Sequence, residues 1–150
     1  RSSSTKTQAA SALLALGNAL YIAEEYQLAM KQIELSIHQD DRNGGAWDTL
    51  GCCLLATHES VKQQSSAGPN EQLALLLKAK RAFSSSIEIG DSTASAYWHR
   101  AAAYRLLAKH YERTASLVLI ADCELRMRSD WDQALAYSPE LKQFEYPSFK

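Results

Sequence analysis

Trp47-Asp48-Thr49-Leu50-Gly51-Cys52-Cys53-Leu54 decides how this chain is read. Its Leu50-Gly51 pair has a counterpart in Leu16-Gly17, and the two glycines stand 34 residues apart. A fixed period of this length marks an architecture built from repeated supersecondary units. Around Gly17, Leu13, Leu16, Leu20, Tyr26, Ala29, Ile33 and Ile37 recur at helical spacing. They mark two amphipathic helices, roughly 11–24 and 26–38, with a tight turn at Glu24-Glu25. Gly17 lets the second helix approach the first, Ala29 supplies the matching small contact, and bulky residues fill the space beside them. Asp40-Asp41-Arg42-Asn43-Gly44-Gly45 then ends one unit and releases the next.

These residues resemble the tetratricopeptide repeat, whose pattern is W-x2-L-G-x2-Y, then A-x3-F, then a small residue and a closing Pro. Trp47 to Leu54 matches the opening half with Leu54 in place of the aromatic, and Ala79-Lys80-Arg81-Ala82-Phe83 followed by Ser86 matches the closing half. Gly51 and Ala79 are 28 residues apart where Gly17 and Ala29 are 12 apart, so the second unit carries about 16 extra residues, centred on Ser65-Ser66-Ala67-Gly68-Pro69-Asn70. They are expected to form a projecting helical hairpin. A third unit runs from Ala96-Tyr97-Trp98-His99-Arg100-Ala101-Ala102-Ala103-Tyr104 through Tyr111, Thr114, Val118 and Ala121. Departures from the pattern are alanine at 101 or 102 where glycine is preferred, Thr114 for alanine, and Asp41 and Asp91 for the closing prolines.

The resemblance implies an all-α fold, a right-handed superhelix of antiparallel helix pairs with repeats at about 11–43, 44–93 and 94–128. Residues 1–10 are expected to be a flexible segment. Ser129-Asp130 is expected to cap a short helix over 129–137 that covers the apolar end of the stack, with 138–150 as an extended tail. A plain helical bundle would make Gly17, Gly51 and Trp47 coincidences, and the RNA-reading pentatricopeptide relative fits the charge less well.

Composition agrees with one globular domain: 150 residues, 46% hydrophobic, 22% charged, 16 Lys+Arg against 17 Asp+Glu. A chain of this length can hide roughly 70% of its unfolded surface without metals or disulfides. The net charge of −1 disfavours a dedicated phosphate-backbone binder. Lys78, Lys80, Arg81, Lys109, Arg113, Arg126 and Arg128 read as a solvated outer face balanced by acids. No apolar run approaches the roughly 20 residues of a membrane span. Three cysteines, two of them adjacent, point to an intracellular, reducing compartment. The opening RSSSTKTQ is basic, hydroxyl-rich and free of acids, as transit-peptide remnants are, so cytoplasmic and mitochondrial or plastid placements both stay open.

A search for chemistry finds no C-x2-C pair, no histidines at helical i,i+4 spacing, no phosphate-cradling glycine loop and no nucleophile-elbow or H-E-x-x-H motif. No catalytic residue, metal ligand, cofactor or small-molecule substrate is assigned. Cys52 reads as a small residue in a tight helix pair. The expected function is a non-enzymatic interaction module, a scaffold or adaptor for a protein or peptide partner. In such a stack the first helix of each pair faces the concave side, so the resemblance implies a partner groove lined by Leu14, Asn18, Tyr21, Asp48, Thr49, Cys52, Leu55, Trp98, His99, Ala102 and Arg105. Tyrosine, tryptophan and arginine dominate binding hot spots. The family's carboxylate clamp for chaperone tails is incomplete. Gly17-Asn18 is kept, but Leu14 replaces a lysine, Cys52 an asparagine and His99 another asparagine, so such tails are expected to bind weakly. The alternative is an accessory subunit built into a large, possibly organellar complex through its outer wall, hairpin and the aromatic tail Phe144, Tyr146, Phe149.

Overall fold

Among the described residues the α-helices form three hairpins, each closed by the same backbone device. The computed structural model describes residues 3–91 and 93–144. The helices are α1 (Ser3–Ile22), α2 (Tyr26–Gln39), α3 (Gly44–Gln64), α4 (Pro69–Ile89), α5 (Thr93–Arg113) and α6 (Leu117–Tyr137), followed by a short 3-10 turn at Pro139–Gln143. No strand occurs among the described residues.

Within each hairpin one non-glycine residue turns left-handed: Glu24 at φ 63°, Ser65 at φ 52° and Ala115 at φ 55°. The next residue then donates its N–H to a carbonyl five residues back, Glu25 to Leu20, Ser66 to Val61 and Ser116 to Tyr111. This closure satisfies carbonyls that the ending helix leaves without partners. Between hairpins the caps differ. Asn43 Oδ1 accepts from the Gly45 N–H at the start of α3, and Asp91 Oδ2, just past α4, accepts from the Gly44 N–H.

The helices pack as α1 on α2, α3 on α4 and α5 on α6, and successive pairs join through α2–α3 and α4–α5. The first helices also meet in series, α1 with α3 and α3 with α5. A methyl group on Gly17 would run into Ile33, and one on Gly51 into the Phe83 ring, so both glycines are there for close approach of the paired helices. Ser36 Oγ donates to the Ala10 carbonyl at 2.6 Å, and Ser86 Oγ to the Gly44 carbonyl at 2.8 Å. The acceptors lie 34 residues apart, as the glycines do, whereas Ile33 and Phe83, like Ser36 and Ser86, lie 50 apart. The difference is the 16-residue insertion in the second pair.

Several expectations need correcting. Of the segment 1–10, the described residues Ser3 to Ala10 are not a loose arm but the first turns of α1; buried Ala10 accepts the Ser36 hydrogen bond and anchors it. The lengthened α3 and α4 do not project. α5 and α6 are equally long, and Leu55, Leu73, Leu76 and Leu77 pack against Leu107, Ala108 and Met127. Residues 129–137 form no separate cap, because α6 runs unbroken to Tyr137. Asp130 caps nothing: it is buried in mid-helix and takes a bidentate pair of 2.7 Å bonds from Arg100, whose third donor reaches Ser84 Oγ. Burial by itself would disfavour the Arg100 charge, but the Asp130 hydrogen bonds and charge outweigh it and its pKa rises. Residues 139–143 turn as a 3-10 helix rather than extending, and the expected tail residues Tyr146 and Phe149 lie outside the described residues.

Candidate functional site

Where α3 meets α5, four polar side chains from two helical i,i+4 pairs converge. On α3, Asp48 and Cys52 lie one turn apart, as Ser95 and His99 do on α5, so each pair shares a face. His99 Nδ1 is 2.8 Å from Asp48 Oδ1 and 3.4 Å from Cys52 Sγ. Ser95 Oγ donates to Asp48 Oδ2 at 2.6 Å and lies 3.3 Å from His99 Nδ1. The ionised carboxylate is acceptor-only, so the Asp48 contact places the proton of a neutral His99 on Nδ1. Behind the imidazole lies the buried Phe83 ring, centroids 5.5 Å apart. The Gly51–Phe83 contact that sets the helix spacing therefore also backs His99.

The cluster is half open. The Asp48 side chain is 12% exposed and that of His99 33%. Burial, then Asp48 and Cys53, push the Cys52 thiol well above its ordinary value. Burial alone raises neighbouring Cys53 to about 11. Tyr21 on α1 is within electrostatic reach of the cluster; burial, then Cys52, raise its phenol. Although a cysteine, a histidine and an aspartate are assembled, thiol and carboxylate both address the same ring nitrogen. A relay for nucleophilic catalysis needs them on opposite nitrogens and a thiolate-favouring environment. This geometry offers neither.

Of the residues expected to line a groove, the structure brings together Tyr21, Asp48, Cys52 and His99. Asn18 is exposed, and Thr49, Ala102 and Arg105 are half-buried along the same series of first helices. Three others are used for packing. Leu14 packs into the cluster around Ala29 and Ile33, and Leu55 into the clusters around Phe83 and Leu107. Trp98 is not a free groove residue: it packs on Trp131 of α6 with centroids 4.5 Å apart and meets Phe144 edge-on. The tail aromatic thus covers Trp98 in part. Beside it a cleft of about 440 Å³ is bordered by Ser95, Trp98, His99, Leu141 and Phe144.

Ser95 was missed in the sequence, and its signal was the x3 spacing to His99, matched by Asp48-x3-Cys52. A search restricted to repeated histidines or cysteines cannot see mixed pairs. A second concavity of about 470 Å³ lies over α3 between α2 and α4, floored by Leu50 and Leu54 and edged by Glu34, Lys78 and Arg81. Among the described residues no helix is long and apolar enough to cross a membrane. The chain matches no known family, no curated protein and no solved structure.

Proposed function

We propose that the chain is a non-enzymatic protein-interaction module of tetratricopeptide-repeat type, three helix pairs winding as a right-handed superhelix that holds a peptide or partner helix along α1, α3 and α5. The observation that carries this reading is the recurrence of one construction. The same left-handed closure ends the first helix of all three pairs. The same glycine-against-bulky contact and the same serine-to-carbonyl bond recur in the first two. Repeats of one unit bury their faces on their neighbours and leave an extended surface on the first helices, which arrays of this kind use for binding. Asn18, Tyr21, Ala102 and Arg105 give that surface a mixed polar and aromatic character.

The test is affinity purification of the tagged chain from its native cells beside an Asn18→Arg/Arg105→Glu variant, two changes outside the buried core. A partner retained by the wild type and lost by a variant of unchanged thermal stability supports the reading. A partner held equally by both contradicts it.

A second reading, an accessory subunit using the outer wall, is favoured by the apolar residues that α6 presents to solvent: Leu117 is 77% exposed, Val118 83% and Leu125 69%. Clustered exposed apolar residues mark interaction surfaces. In that case the isolated chain should self-associate, and Leu117→Ser/Val118→Ser/Leu125→Lys should render it monomeric.

A further inference from the structure

We propose that Asp48, Cys52 and His99 form a binding site for a zinc-class divalent metal ion, completed by a solvent molecule. One ligand atom from each residue lies within 4.8 Å of the other two. The donor set is a carboxylate oxygen, a thiol sulfur and an imidazole nitrogen. That mixture suits zinc and its transition-metal neighbours, and not magnesium or calcium, which take oxygen ligands.

The distances bear this out. Bonds of about 2.0 Å to N and O and about 2.3 Å to S in a tetrahedron imply N–O and N–S edges of roughly 3.3 and 3.5 Å. Here the Asp48–His99 edge is 2.8 Å and the Cys52–His99 edge 3.4 Å. An ion entering between them opens the carboxylate–imidazole pair by about half an ångström and draws Asp48 and Cys52, whose ligand atoms lie within 4.8 Å of each other, toward an O–S edge of roughly 3.5 Å. It takes the place of the proton that Nδ1 shares with Asp48. His99 then carries its proton on Nε2, and the Cys52 thiol proton is released to solvent. The ion takes the place of the thiol proton directly, as a coordinating thiol is deprotonated by the metal it binds. Ser95, donating to the other carboxylate oxygen, orients Asp48 for the purpose.

The experiment is titration of the full chain with cobalt(II) as a spectroscopic probe, followed by displacement with zinc. The expected result is one ion per chain, a thiolate-to-cobalt charge-transfer band, four-coordinate visible absorption, and proton release seen by calorimetry in buffers of different ionisation enthalpy. Cys52→Ala is expected to abolish the band while Cys53 and Cys123 remain. Ser95→Ala should weaken binding about tenfold. His99→Gln, at a partly exposed position, should weaken it by at least about tenfold and supplies the test if Cys52→Ala does not fold. No band in excess cobalt, or a band that survives both Cys52→Ala and His99→Gln, would overturn the site and leave the cluster as a hydrogen-bonded tie between α3 and α5. None of these readouts needs a protein partner, so the site stands or falls apart from the interaction reading.

Discussion

Replacing Gly51 with alanine puts a methyl group where the Phe83 ring already lies. The new carbon would sit 2.6 Å from both Cδ1 and Cζ and closer still to Cε1. Phe83 cannot swing away, because it is fully buried between α3, α4 and α5 with His99 behind it. Overpacking costs about 1–3 kcal/mol, a contact this close to a fully buried ring belongs in the upper part at about 2–3 kcal/mol, and alanine's better helix propensity returns about 1 kcal/mol. The expected net loss is about 1–2 kcal/mol, a fall in Tm of roughly 3–8 °C for a domain of this size. Thermal unfolding followed by circular dichroism reads it directly. Gly51→Ala/Phe83→Leu should show favourable coupling of at least about 1 kcal/mol, because the smaller side chain vacates the disputed volume. Gly68→Ala is the control: nothing lies within 4 Å of its added carbon, and its effect should stay within about 0.5 kcal/mol. A Gly51→Ala variant as stable as the wild type, or more so, would refute the close-approach argument.

Asp130→Ala leaves the Arg100 guanidinium, whose side chain is 20% exposed, without its counterion, and should cost about 3 kcal/mol in urea unfolding. Arg100→Met/Asp130→Leu should recover most of that loss. Ala115→Gly relieves a left-handed residue with a side chain and should raise stability by about 0.5–1 kcal/mol by the same assay. His58 and His110 are buried with Nδ1 atoms that find no hydrogen-bond partner among the described residues. Burial lowers both pKa values, helped at His58 by Lys62, His110 and Arg113 against the opposing Glu59, and at His110 by Arg113. The unfolded chain therefore takes up protons first. Stability should be full above about pH 6.5 and fall as pH drops toward the lowered native values, and His58→Gln/His110→Gln should flatten that dependence. With no metal added, Cys52 should alkylate with iodoacetamide more slowly than a free thiol at pH 8, since its thiol is held protonated.

The helical character and the close-approach glycines were legible because periodicity and a lone glycine in an apolar stripe report directly on a helix face. Gly17 against Ile33 and Gly51 against Phe83 are contacts between sequential helices, where spacing suffices. The polar cluster was not legible in the same way. Asp48 and His99 are 51 residues apart, and periodicity says which face each occupies but not which turn of α5 sits opposite which turn of α3. Asp130 misled for a related reason. Ser129-Asp130 ahead of Trp131 has the composition of a helix start, yet the bond from Arg100 lets the carboxylate stay inside a continuous helix. Trp98 was assigned to the groove because helical spacing does not show that Trp131 and Phe144, 33 and 46 residues on, claim its ring. The start of α1 carried little signal, for its first turn holds no acidic residue.

The most direct test of the central claim is hydrogen exchange on the chain with and without a partner recovered by affinity purification. The account predicts protection along α1, α3 and α5, strongest around Asn18–Tyr21, Asp48–Cys52 and His99–Arg105. Protection confined to α2 and the Leu117–Leu125 face of α6, with the first helices exchanging as in the free chain, would contradict it.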